Sequence, residues 1–335
     1  MNMASTKLHI LQEKVWQGSI PLHISLSPVD CRTYNDSLPY MVRITQSCTD
    51  ENIWLIHDQI HFPRLSYLPF LLARLHAFFS AAFIDPATRP HKGWFSCQGV
   101  ALKWQHPVGL LYDLFAGSEP SFAQASQRNG QPYLEHEGDQ IRLSTTPWKL
   151  TLHYSDWPVD QLIPLDASEK VQHDAFVNSV KEADFLRNGT GKIMMSLSKD
   201  DSTKLWQAVQ KHNLALFNAV NHKFLHPPGG LVLRHVPIKV YLPSTARSQD
   251  VDKVRATIRV VQGLVAPFLP TNEPQTLVMA LHSLLPTVFP SRRSYIYAQA
   301  VMHGAVLPAA ASIHDLMIAA AFPDGFLHIA ISMIN

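Results

Sequence analysis

Val236-Pro-Ile-Lys-Val-Tyr-Leu242 reads as a strand, and the order of elements after it decides the fold. A second strand at 256–265 comes next, then a long helix at 275–288, a strand at 295–303, a short helix at 311–320 and a strand at 326–331. The first half of the chain carries the same order. Residues 15–26, VWQGSIPLHISL, alternate loosely between apolar and polar and stop before Pro28, as a half-exposed strand does. A second strand is expected at 40–45. In 67–83, Tyr67, Leu71, Leu75 and Phe79 recur every fourth residue beside Leu68 and Leu72, one helical stripe. Residues 94–104 look extended, 108–115 form a short helix opened by Pro107 and stopped at Gly117, and 148–154 are extended again. Strand, strand, long helix, strand, short helix, strand is the element order of the β-grasp, or ubiquitin-like, fold, in which a helix covers one face of a mixed sheet.

Between the two units, residues 168–226 carry helical stripes: Val171, Ala175, Val180 and Ala183 make one, and Leu205, Val209, Leu216 and Val220 make others. Pro227-Pro-Gly-Gly230 ends this stretch, because prolines lack the helical donor and glycines lack helical preference. The expected architecture is α+β: two ubiquitin-like (β-grasp) domains flanking a helix-rich domain. Its parts are an N-terminal helical segment (1–14), a first ubiquitin-like domain (15–158), the helix-rich domain (159–230) and a second ubiquitin-like domain (231–335). The Ser-, Gln-, Gly- and Glu-rich residues 117–147 form a surface insertion in the first.

Composition narrows the function. A chain of 335 residues exceeds what one core usually organises, which agrees with several domains. The net charge of +2 and the absence of any Lys/Arg-dense run beyond Arg292-Arg293 argue against nucleic acid as a partner. Cys31, Cys48 and Cys97 are odd in number and far apart, which points to a reducing compartment and away from a disulfide framework. The N-terminus lacks the apolar core of a signal peptide. The greasy stretch 65–84 contains Arg74 and His76 and reads as a buried helix rather than a membrane span.

The signatures of catalysis are missing. His57 and His61, and His222 and His226, have i, i+4 spacing that could aim two ligands at one ion, but neither pair has a third ligand nearby and no HExxH occurs, so no metal is expected. Gly189-Thr-Gly191-Lys192 ends like a phosphate-binding loop, yet Leu186 stands where its first glycine belongs and Ile193 where its Ser or Thr belongs. There is no G-x-S-x-G elbow. The tryptophans are read as core residues rather than a ligand box. No catalytic residue and no cofactor is assigned, and the chain is expected to be a non-catalytic scaffold. It ends Ser332-Met-Ile-Asn335 and lacks the terminal glycine through which ubiquitin-like modifiers are attached, so its ubiquitin-like units are expected to act as docking modules.

Several segments, in order along nearly the whole chain, resemble the autophagy protein 5 family: Val15-Trp-Gln-Gly-Ser-Ile-Pro21, Pro63-Arg-Leu-Ser-Tyr-Leu68, the run from Leu102-Lys-Trp to Tyr-Asp-Leu114, Lys181-Glu-Ala-Asp184, Lys204-Leu-Trp206, Met302-His-Gly304 and the run from Phe322-Pro-Asp to Leu-His-Ile329. The 117–147 insertion departs from shorter relatives. The resemblance implies two ubiquitin-like domains about a helix-rich one, with Lys181 as the isopeptide acceptor for the C-terminal glycine of the ubiquitin-like autophagy protein 12. It further implies non-covalent binding of the N-terminal helix of the coiled-coil autophagy protein 16. The resulting ligase-like complex would promote lipidation of autophagy protein 8 with phosphatidylethanolamine during autophagosome formation. Conjugating enzymes of the same system are implied partners, and the implied location is cytoplasmic, peripheral on the isolation membrane. No polybasic run announces lipid contact, so any such contact is expected through folded patches.

An acceptor must reach solvent. With Val180 and Ala183 facing inward, Lys181 is expected to share an outward side with Val177, Asp184 and Asn188. A lysine amine in water is overwhelmingly protonated at neutral pH, so its deprotonation falls to the conjugating enzyme. Two other readings stand beside this one: a non-covalent adaptor whose ubiquitin-like domains bind a partner helix, and an enzyme with a dispersed active site.

Overall fold

The computed structural model describes residues 3–32, 60–116, 147–226, 233–245 and 256–334. The chain begins with helix α1 (Met3–Gln17), which runs three residues beyond the expected helical segment. Strand β1 (Ser19–Leu26) accordingly starts at Ser19, not Val15. The reason is tertiary: Trp16 is 4% exposed, stacked on His212 and against Phe217, so helical geometry here buries an indole. Gly18 then turns the chain, its N–H donating to the Val15 carbonyl.

β1 pairs antiparallel with β2 (Ile60–Pro63). The strand expected at 40–45 lies outside the described residues. On its other side β1 pairs in parallel with β5 (Trp148–His153), Leu22 opposite Trp148 through Leu26 opposite Leu152. β5 pairs antiparallel with β3 (Trp94–Cys97), which folds back on β4 (Val100–Ala101). That hairpin turns through Gln98 and Gly99, both at positive φ. The sheet order is β2-β1-β5-β3-β4. Ile20, Leu22, Ile24 and Leu26 alternate inward along β1 and meet helix α2 (Leu72–Phe79) through Leu72, Leu75 and Phe79. The expected long helix is thus shorter, opening with a 3-10 turn at Leu68–Leu71. Helix α3 (Val108–Phe115) has the bounds read from the sequence.

Helices α4 (Lys170–Asn188), α5 (Lys192–Ser196), α6 (Lys199–Gln210) and α7 (Leu214–Leu225) fill the middle of the chain. Ser198 caps α6 by accepting from Asp201 N, and Asn213 caps α7 by accepting from Leu216 N, each satisfying a donor that the first turn leaves orphaned. Pro227 to Gly230 lie outside the described residues, as does the insertion apart from Pro147.

The second sheet repeats the first. β6 (Ile238–Thr245) pairs antiparallel with β7 (Ala256–Gln262) and in parallel with β10 (Leu327–Met333). β10 pairs antiparallel with β8 (Ala298–Met302), and β8 with β9 (Ala305–Val306). The order β7-β6-β10-β8-β9 is that of the first sheet, position for position. Helix α8 (Leu277–Leu284) covers its inner face, and α9 (Ile313–Ala320) follows the hairpin. The apolar interior of this sheet is continuous with that of the helices: Phe176, Val180, Leu205 and Val220 belong to one cluster with Val240, Leu281 and Ile329. The first sheet keeps a cluster of its own.

A buried ion pair of the first half reaches the second through a backbone hydrogen bond. Arg64, just after β2, pairs with Asp113 of α3, both side chains under 10% exposed. The other Asp113 carboxylate oxygen accepts from the Gly304 N–H in the β8–β9 turn, at 3.1 Å. Gly304 is at φ 79, and a Cβ there would lie about 3.0 Å from the Arg64 guanidinium, so both backbone sign and space call for glycine.

Candidate functional site

α4 lies between the helical layer and the second sheet, and its polar side chains divide sharply. Lys181 is exposed, and among the described residues it makes no hydrogen bond or ion pair. Val180 and Ala183 are buried, as the stripe requires. Asp184 and Asn188 do not share the outward side expected of them: they are 0% and 3% exposed. Asp184 accepts from Asn188 Nδ2 at 2.8 Å and from the Met194 N–H at 3.1 Å, which satisfies the carboxylate inside and fastens α4 to α5. Gly189, at φ 72, closes α4 by donating its N–H to the Phe185 carbonyl. The Gly189–Lys192 stretch is therefore a helix end leading into α5.

The face of α4 toward the second sheet is held by residues far away in sequence. Ser179 Oγ donates to Asp324 at 2.8 Å. Asp324 also bonds His328 Nε2 at 2.9 Å and accepts from Phe326 N at 3.1 Å, and His328 Nδ1 bonds the Tyr241 hydroxyl at 2.8 Å. Burial by itself would raise the Asp324 carboxyl, but the His328 charge and these hydrogen bonds hold it below the usual carboxylate range. Burial, then the Asp324 charge, pushes the Tyr241 phenol up. Although serine, histidine and aspartate meet here, Ser179 donates to the aspartate and not to the imidazole, so the base is not placed to take its proton. Arg187, 4% exposed, donates to the Gly325 carbonyl at 3.1 Å, and burial lowers its guanidinium to about 10.

Next to Lys181, the Glu182 carboxylate is taken by two strands of the second sheet. Lys239 of β6 donates to one oxygen at 2.8 Å and Gln262 of β7 to the other at 3.0 Å. The Lys239 ammonium also sits 3.9 Å above the centroid of the Phe326 ring. None of these partners is legible from α4 alone, since they lie 57 and 80 residues away.

A concavity lies where the first sheet's loops meet α4, with Tyr67, Phe70, Trp104 and Trp206 among its walls and Gln105 and Gln172 beside them. Trp16, Trp104 and Trp148 are buried, in keeping with the core reading of the tryptophans, while Trp206 is partly open to this cleft. Of the histidine pairs, His57 lies outside the described residues, and His222 bonds the Asn218 carbonyl. Among the described residues no three His, Cys, Asp or Glu gather as metal ligands, and no helix is long and apolar enough to cross a membrane.

Two five-stranded β-grasp sheets of identical strand order, with a helical layer between them and an exposed lysine on the helix that joins layer to sheet, define a protein of paired ubiquitin-like domains. Comparison with known proteins places it more narrowly. The chain matches the family models "Autophagy protein ATG5, UblA domain" at 15–154, "Autophagy protein ATG5, alpha-helical bundle region" at 169–227 and "Autophagy protein ATG5, UblB domain" at 235–331, and it belongs to the autophagy protein 5 family. It is 48% identical over 325 residues to Autophagy protein 5 of Phaeosphaeria nodorum, covering 97% of each chain. It is 44% identical over 341 residues to that of Aspergillus terreus, covering 98% of each. The crystal structure of Kluyveromyces marxianus Atg5 is similar in fold, with a TM-score of 0.67 at 20% identity over 96% of this chain and 98% of that one. Family membership gives the chain a role in autophagy.

Proposed function

We propose that this chain is a non-catalytic scaffold of autophagy that carries autophagy protein 12 on Lys181 through an isopeptide bond. The observation that carries the reading is the contrast along α4, where Lys181 alone of the Lys181-Glu-Ala-Asp184 segment is exposed and without a partner among the described residues. The bond forms when the neutral amine attacks the thioester carbonyl at the modifier's C-terminal glycine. The enzyme's thiolate leaves, and the proton lost by the nitrogen passes to a base supplied by that enzyme. This chain contributes the nucleophile and its placement. The conjugate then binds the N-terminal helix of autophagy protein 16, and the assembly promotes lipidation of autophagy protein 8, working in the cytoplasm and peripherally on the isolation membrane.

Lys181→Arg keeps the charge and most of the bulk at an exposed position, so its melting temperature is expected to match that of the parent. In a reconstituted conjugation reaction the higher-mass species is expected to disappear. Conjugation at the parent's yield would reject the assignment.

A further inference from the structure

A reaction that modifies one lysine must ignore its neighbours. One such neighbour is Lys239: its nitrogen lies 2.8 Å from the carboxylate of Glu182, the residue next to Lys181 on α4. A thioester delivered to Lys181 would be presented to Lys239 as well. The two differ in how they are held. Lys181 is exposed and unpartnered among the described residues. Lys239 has a side chain only 17% exposed, laid along the sheet with its nitrogen 2.8 Å from Glu182 and 3.9 Å from the Phe326 ring centroid. Both contacts hold the nitrogen down against the sheet, where an incoming carbonyl has no open line to it. Gln262, bonded to the second Glu182 oxygen at 3.0 Å, keeps the carboxylate turned toward the sheet.

From this geometry we infer that Glu182 is a specificity-determining residue: by pinning the Lys239 side chain against the sheet, it withholds that amine and leaves the reaction to Lys181. The inference rests on the conjugation reading above. Glu182 sits one position from Lys181 on the helix, where adjacent side chains point about 100° apart. It therefore acts on the competing amine and not on the acceptor itself.

Glu182→Gln removes the charge while keeping the shape, and at a half-exposed position it is expected to leave the fold intact. Two measurements on the full chain test the idea. In the first, brief treatment with a small amine-acylating reagent, mapped by peptide mass spectrometry, is expected to show several-fold more acetyl-Lys239 in Glu182→Gln than in the parent, with Lys181 acylated equally in both. In the second, conjugation is run on the parent, Lys181→Arg, Glu182→Gln and the double variant. The branched peptide is expected at Lys181 alone in the parent, at Lys181 and Lys239 in Glu182→Gln, and at Lys239 in the double variant. Lys181→Arg by itself, which is expected to give none, tests the conjugation reading separately. Unchanged Lys239 acylation in Glu182→Gln, or a freed Lys239 that still receives no modifier while Lys181 does, would overturn the inference.

Discussion

Arg64→Met is expected to destabilise the folded chain by about 3–5 kcal/mol, the usual cost of stranding one member of a buried ion pair. The variant leaves the Asp113 carboxylate 3% exposed with the Gly304 N–H still donating to it but no countercharge, since the guanidinium it faced is gone. Equilibrium urea unfolding reads the loss directly as a lower midpoint. Arg64→Met combined with Asp113→Leu removes both charges and is expected to recover much of the difference, because an apolar pair at such a site carries no desolvation cost. A double variant as unstable as the single one would show that Arg64 acts through its packing around Gly109 and Gly304, and not through charge.

Acid is expected to weaken the fold well before the carboxylates titrate. Burial, reinforced by the charges of His328, Lys103 and Lys239 and opposed by Asp324, depresses the His106 imidazole to about 3. Burial lowers His303 to about 4, although its bond to the Ala320 carbonyl works the other way. Both rings stay neutral in the folded chain at pH values where an unfolded histidine takes up a proton. Stability is therefore full above pH 6.5 and falls as pH drops through 6.5 toward 4 and 3. At pH 5 each ring contributes a loss of up to about 2 kcal/mol, discounted because part of each residue's surface still meets water. His106 packs on Tyr241 across the boundary between the first sheet and the second, and His303 packs on Phe322 beside the Arg64 lock. Urea midpoints measured from about pH 7 to about pH 5 are expected to decline steadily, and His303→Asn or His106→Gln is expected to flatten the slope. A midpoint indifferent to pH over that range would show that neither ring is buried neutral.

The parts of the fold that local chemistry dictates were legible in the sequence. Pro107 opens α3 and the chain reads as helix to Phe115, and so it is. The repeated element order announced the two sheets, because each strand and helix signal is complete within a few residues. What failed was whatever depends on distant partners. Val15 and Trp16 alternate like a strand, but His212 and Phe217 draw the indole into a helical setting. The four residues of β2 are too few to carry a period, and they become a strand because β1 offers its edge. On α4, periodicity correctly turned Lys181 outward. It also turned Asp184 and Asn188 outward, since polar residues satisfied inside the protein, here by each other and by the Met194 N–H, look the same in sequence as solvated ones. The Glu182–Lys239–Gln262 clamp left no trace at all, being made wholly by the second sheet's register.

The family's threefold partition conceals a twofold one. Because the helical layer and the second sheet share a single greasy interior, neither can lose its packing without opening the other, whereas the first sheet has its own. Heating is accordingly expected to give at most two calorimetric steps, one for the first sheet and one for the block that α1, the helical layer and the second sheet form together. A helical segment that melted ahead of the second sheet would contradict this. The lysine on α4 thus rides on the larger of two cooperative blocks, so strain applied through a partner tethered there would be borne by the N-terminal helix, the helical layer and the second sheet together.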